Sequence, residues 1–146
     1  MNSGRIVSIS SGTYTGAGNT NIEISHEMTI IGAGKTKTIM SGSDSSRIFV
    51  IDNNVNFILK NLTLANGKSN MGGAILNQGH TTEDNSAFTQ CKTYYAYMGG
   101  GSAIVNTDDG TLTVSNTDFI NNNALLSNGC EGTIYSNGTL YGHYPY

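Results

Sequence analysis

The chain has 146 residues, about the length of one domain, with 12% charged residues, 19 Gly, one Pro, no Trp and a net charge of −3. Its seven Lys and Arg are scattered singly, which excludes the basic footprint of a nucleic-acid binder and disfavours binding to an anionic membrane surface. Asn, Ser, Thr and Gly carry the polarity, which suits many short strands joined by turns rather than a helical or disordered chain.

In chain order, "MNSGRIVSIS" at 1–10 lacks the apolar core of a signal peptide, and its "RIVSIS" reads as a strand. "HEMTI" brings a large apolar residue at Ile30. "IFVI" at 48–51 is among the longest apolar runs, far below the ~20 residues of a membrane helix. "NFILKN" favours a strand by its aromatic and β-branched content, and "KNLTL" ends on Leu64. "MGGAILNQG" at 71–79 is followed by "DNSAF", which ends on Phe88. "GGGSAIVNTDDG" at 99–110 repeats the glycine-led pattern, and "GTLTVSNTDF" follows with strict alternation in "TLTV". "GTIYSNG" at 132–138 states the pattern a third time.

Ile75, Ile104 and Ile134 are 29 and 30 residues apart, and a second apolar series runs through Ile30, Leu64, Phe88 and Phe119. Self-similarity at this period signals a solenoid or array. No window shows a clean helical stripe with caps, so the chain is expected to be all-β, a parallel β-helix of about five or six coils in one domain spanning 1–146. At ~4.8 Å per coil it would be roughly 24–29 Å long. Gly72, Gly73 and Gly99 to Gly101 would make the sharp turns. Ala74 and Ala103 would fit crowded corners, with the three isoleucines stacked inward. Asn77, Asn106 and Asn137 would sit where the chain bends again and bond to one another, a structural role.

Laid out this way, "GTYTGAGNTNIEIS", "MTIIGAG", "NLTLANGKS", "GGAILN" and "GTLTVSNTDFINNNA" resemble the repeats of adhesin-like surface proteins of methanogenic archaea. They are also similar to bacterial polymorphic outer-membrane protein repeats, of the pectate-lyase-like right-handed β-helix class. The resemblance implies a right-handed β-helix in a cell-surface or secreted protein, with a surface polysaccharide or glycoprotein as partner, and brings no catalytic signature. Such domains usually open with a helix that plugs the first coil. Here the chain begins at a strand, so a piece of a longer array, or one that relies on a partner to cover its ends, is expected, and by itself it would be prone to end-to-end association through its uncovered edges.

One coil breaks the pattern. With Gly79 aligned on Gly110, Thr81 and Glu83 stand where the next repeat has Leu112 and Val114, and the insertion "TQCKTYYAYMGGG" follows. The plainer reading is a drifted coil with tyrosines packed down over it. The functional one is a carbohydrate site, with Tyr94, Tyr95 and Tyr97 as platforms and Glu83, Asp84, Asp108 and Asp109 as hydroxyl acceptors. Glu83 with Asp108 or Asp109 is the pair a glycoside hydrolase would use, at about 5–10 Å separation. Lys60, Lys68 and Lys92 show no grouping that a lyase would need. No metal or cofactor is expected, since no Asp-rich loop spacing supports calcium at the four acids, and the histidines His26, His80 and His143 are isolated. Cys91 and Cys130 lack metal-ligand spacing and read as two unpaired thiols, a disulfide being the other reading. Asn61 and Asn137 fit the glycosylation pattern, as chance alone predicts in so Asn- and Thr-rich a chain, and Asn61 is already explained as a turn residue.

Overall fold

The computed structural model describes residues 4–94, 100–124 and 131–142. The chain winds in coils of short strands. The first holds β1 (Arg5–Ser8), β2 (Gly12–Tyr14) and β3 (Ile22–Ile24), and the second β4 (Met28–Ile31), β5 (Thr38–Ser41) and β6 (Phe49–Ile51). The third holds β7 (Asn56–Lys60), β8 (Thr63–Ala65), β9 (Lys68–Ser69) and β10 (Ile75–Asn77). The fourth holds β11 (His80–Asp84), β12 (Ala87–Thr89), β13 (Lys92–Thr93) and β14 (Gly100–Asn106). The fifth holds β15 (Thr111–Ser115), β16 (Asp118–Ile120), β17 (Asn123–Ala124) and β18 (Glu131–Ser136), and β19 (Thr139–Gly142) begins another turn.

Each strand pairs in parallel with its equivalent in the coils before and after, giving sheets ordered β1-β4-β7-β11-β15-β19, β18-β14-β10-β6-β3, β16-β12-β8-β5-β2 and β17-β13-β9. The molecule is an all-β parallel solenoid of about five turns, with no helix among the described residues.

Alternation along each strand sends every second side chain into the lumen. Ile75 pairs with Ile104 and Ile104 with Ile134, as their spacing predicts. Ile75 and Ile104 are fully buried alongside Phe49, Phe57, Leu59, Leu64, Phe88 and Leu112. Phe88 sits between Leu64 and Phe119, its ring stacked on that of Phe119 at 5.1 Å. Phe119 is only half-buried, because β16 is the edge of its sheet. Ile30, expected in this series, belongs to another sheet: it pairs with Leu59, and Met40 takes the place next to Leu64. Met40 precedes Leu64 by 24 residues, the same interval that separates Leu64 from Phe88.

The glycines mark backbone contacts. Gly72 has φ +66°, and a Cβ there would overlap the carbonyl oxygen of Ile75; Gly101 meets that of Ile104 in the same way. The turn expected at Asn61 is left-handed and recurs in the following coils, whereas Asn77 and Asn106 are not left-handed. Asn61, Asn85 and Asn116 have φ of 60°, 47° and 49°, and Asn66, Gln90 and Asn121 form a second such series. These are short sharp corners that a β-branched residue would resist. Asn85 Nδ2 donates to Asn61 Oδ1 at 2.8 Å, tying two corners together.

Apart from Met71, between β9 and β10, the large apolar side chains exposed to solvent among the described residues lie at the two ends of the solenoid. Ile6 (70%) and Val7 lie on β1, Ile120 on β16 and Tyr141 (57%) on β19, all edge strands. Two measurements check this account. Ile104→Ala should cost about 2–5 kcal/mol in urea denaturation, the range for a buried aliphatic that leaves a cavity. Light scattering over a concentration series of this 146-residue chain should show mass rising with concentration; a single monomeric mass throughout would mean that the edges are protected.

Candidate functional site

The sheet formed by β3, β6, β10, β14 and β18 ends at a corner of unequal turns. Four residues, 52–55 and 107–110, follow β6 and β14, whereas two, 78–79 and 137–138, follow β10 and β18. The longer turns close by bonds from Val55 N to Asp52 O (3.2 Å) and Gly110 N to Thr107 O (2.9 Å). The short turn at Gln78 is therefore recessed between two projecting ones. The result is a concavity of about 350 Å³ lined by Asn53, Gln78, Thr107, Asp108, Asp109 and Asn137, with Met71, Val105 and Tyr135.

The apolar part of the lining follows from strand alternation. Leu76, Val105 and Tyr135 are paired residues on the outer face. Val105 is nevertheless only 2% exposed, forming a covered apolar floor beside the Tyr135 ring. Around it stand three side-chain amides, a hydroxyl and two exposed carboxylates. Among the described residues no Lys, Arg or His lines the concavity.

A buried ladder supports the corner from inside. Asn77 Nδ2 donates to Asn106 Oδ1 at 2.8 Å, and Asn106 Nδ2 donates to Ser136 Oγ at 3.0 Å. Asn77 Oδ1 accepts from Thr81 Oγ1 and from the Gly79 amide. Asn77 Nδ2 also reaches the Thr111 carbonyl, and Asn106 Nδ2 that of Thr139. Asn77 and Asn106 are thus structural, as expected, but as strand residues with ordinary φ rather than bends. Ser136 completes the column in place of Asn137, which is exposed at the groove.

The other residues singled out in the sequence do not converge. Glu83 faces the lumen and is fully buried, level with Leu59 and Val114. It can neither accept a sugar hydroxyl at the surface nor act with Asp108 or Asp109 on a solvent-borne substrate. Asp84 lies on the outer face of another sheet, where hydrogen bonds from Asn116 and Ser115 (3.1 Å each) hold its carboxyl below the usual range. Tyr94 is half-buried beside β13, with Lys68 Nζ 5.2 Å from its ring centre. Tyr95, Tyr97, Cys130 and His143 lie outside the described residues.

Lys68 and Lys92, ungrouped in the sequence, are paired neighbours on β9 and β13. Lys92 bonds Asp44 at 2.9 Å, and nearby Arg47 is committed to the carbonyls of Met71 and Gly72 and to Ser69 Oγ. Burial lowers the pKa of that guanidinium. A second, more polar concavity of about 530 Å³ is lined by Lys35, Asn85, Asn116, Thr117 and Asp118, with Lys35 and Asp118 bonded across it at 3.0 Å. Cys91 is a free thiol, pushed up to about 12 by burial. His26 and His80 are exposed. Among the described residues no three His, Cys, Asp or Glu side chains are placed to hold a metal ion, and no helix is long and apolar enough to cross a membrane. No family model, curated protein or solved structure matches this chain.

Tyr135 and the recessed turn were missed in the sequence. "GTIYSNG" does carry the signal for the tyrosine: with Ile134 inward, Tyr135 must point out. Replacing Asn106 by Ala would strip Asn77 Nδ2 and Ser136 Oγ of a partner in a buried setting. A loss of about 1–3 kcal/mol is expected, read from urea denaturation.

Proposed function

We propose that this chain is a non-catalytic solenoid segment of a cell-surface or secreted protein that holds a neutral glycan in the corner concavity between the turns at 52–55 and 107–110. The observation that carries the reading is the lining itself: Tyr135 beside the Val105 floor, ringed by Asn53, Gln78, Asn137, Asp108 and Asp109. A sugar ring presents an apolar C–H face and a rim of hydroxyls. The first suits a phenol ring, and the second suits carboxylate acceptors and amides that both donate and accept. A uronate or sulfated glycan would meet two carboxylates and, among the described residues, no cation, so neutral sugars are favoured. The adhesive role rests on the repeat resemblance together with this groove.

The competing reading is a polysaccharide-cleaving enzyme. Hydrolysis needs two carboxyls flanking one bond. Asp108 and Asp109 are in the groove, but Glu83, the acid expected to work with them, is enclosed in the lumen.

A panel of neutral, acidic and sulfated oligosaccharides, titrated calorimetrically, tests the proposal. Neutral glycans should bind, and Tyr135→Ala and Asp108→Asn should each weaken binding about tenfold, the equivalent of ~1.4 kcal/mol. No binding across the panel, or binding unaffected by both substitutions, would remove the groove as the site. Release of reducing ends or unsaturated products would favour the enzyme.

A further inference from the structure

One buried ionisable group takes no part in the groove. Glu83 occupies a lumen position on β11, between Leu59 of β7 and Val114 of β15. It is fully buried, and neither Oε1 nor Oε2 has a hydrogen-bond partner. The nearest polar side chain on its own strand that faces inward, Thr81, already donates to Asn77 Oδ1 at 2.7 Å. The strand's backbone groups are engaged in the ladders to β7 and β15.

No charge compensates it from the packed elements. On β7 the one ionic side chain is Lys60, which stands on the outer face beside Asp84. β15 and β12 carry no ionisable residue. Lys92 of β13 is turned out to Asp44. On β10 and β14 the buried polar side chains include the neutral amides of Asn77 and Asn106. The other titratable group fully enclosed in the core, among the described residues, is the Cys91 thiol.

An ionised carboxylate without hydrogen bonds or counter-ion is among the costliest things a core can hold, whereas a neutral carboxyl is tolerated. We propose that Glu83 makes the fourth coil a proton-gated joint: the solenoid closes over the neutral carboxyl, and departure of its proton to solvent base drives β11 out of the stack. Burial correspondingly pushes the Glu83 pKa well above the ordinary glutamate range.

The sign follows. Below the unfolded-state pKa both states hold the proton, and stability does not change with pH through this group. Above it the unfolded chain releases the proton while the folded chain keeps it, so stability falls with rising pH until the folded carboxyl also ionises. The joint is firm in acid and weakens towards alkali. Because Thr81, two residues away, holds Asn77, opening of β11 also reaches the ladder beneath the corner.

The test is urea unfolding of wild type, Glu83→Gln and Glu83→Leu between about pH 4 and pH 9, at concentrations where all are dispersed. Relative to either variant, the folded-to-unfolded ratio of wild type should fall by up to about tenfold per pH unit above the ordinary glutamate range. Parallel curves for all three proteins would overturn the proposal. Should the variants fail to fold, carboxyl carbon NMR of wild type decides: a Glu83 resonance still protonated near pH 7 supports the joint, and one ionised in the ordinary range overturns it.

Discussion

Everything in this molecule hangs on the parallel backbone ladder between successive coils. Parallel pairing fixes register residue by residue, so whatever stands at one lumen position lies against its counterpart one coil on, about 4.8 Å away. Like therefore stacks on like: Ile75 on Ile104, Phe88 on Phe119, Asn77 on Asn106. The ladder also explains why a chain with so few charged residues and no helix among its described residues folds into one body. Its backbone groups are satisfied between coils, and a lumen one side chain deep is closed by aliphatic and aromatic stacks. The same constraint makes the polar exceptions informative. An asparagine inside the stack is tolerated because its amide repeats and bonds to the next, whereas a single glutamate among aliphatic residues has nothing to repeat with.

That regularity is why the architecture was legible. Three isoleucines at nearly equal spacing define a column without further information, and the pairing of Thr81 and Glu83 with Leu112 and Val114 was read from one glycine alignment. Legibility failed where a local likeness misled. "HEMTI" reads like "KNLTL", yet Ile30 stands in the sheet with Leu59, and the member of the Leu64 series is Met40, 24 residues before Leu64 as Leu64 is before Phe88. Asn137 is one residue out of register: Asn77 and Asn106 stand two residues after their isoleucines, whereas Asn137 stands three after Ile134, so Ser136 takes the column position. The left-handed corners fell to Asn61, Asn85 and Asn116, where the chain turns within a coil.

The candidate site was less legible for a related reason. A departure from the repeat marks a position as unusual, but not whether the unusual side chain faces solvent. Glu83 was correctly placed in the inward register, and the inward register is what disqualifies it as a surface acceptor. Asp108 and Asp109 do line a concavity, and among the described residues their aromatic neighbour is Tyr135 from the following coil. That neighbour comes from stacking of the third echo on the second. Depth between coils depends on the differing lengths of adjacent turns, which is apparent only once the coils are stacked.

Those unequal turns carry a consequence for how such a scaffold diversifies. Residues in the ladder are bound by neighbours on both sides, so a length change there distorts the pairing, as the one extra residue of β14 against β18 between Gly101 and Ile104 does. A corner is different: four residues at 107–110 and two at 78–79 both deliver the chain to the same sheet in register, Thr111 beside His80. Insertions at this edge are thus nearly free of structural penalty, and each creates a ridge whose flank is a new cleft. The solenoid works as a rack with interchangeable teeth, on which recognition can be relocated by small changes in loop length while the lumen remains untouched.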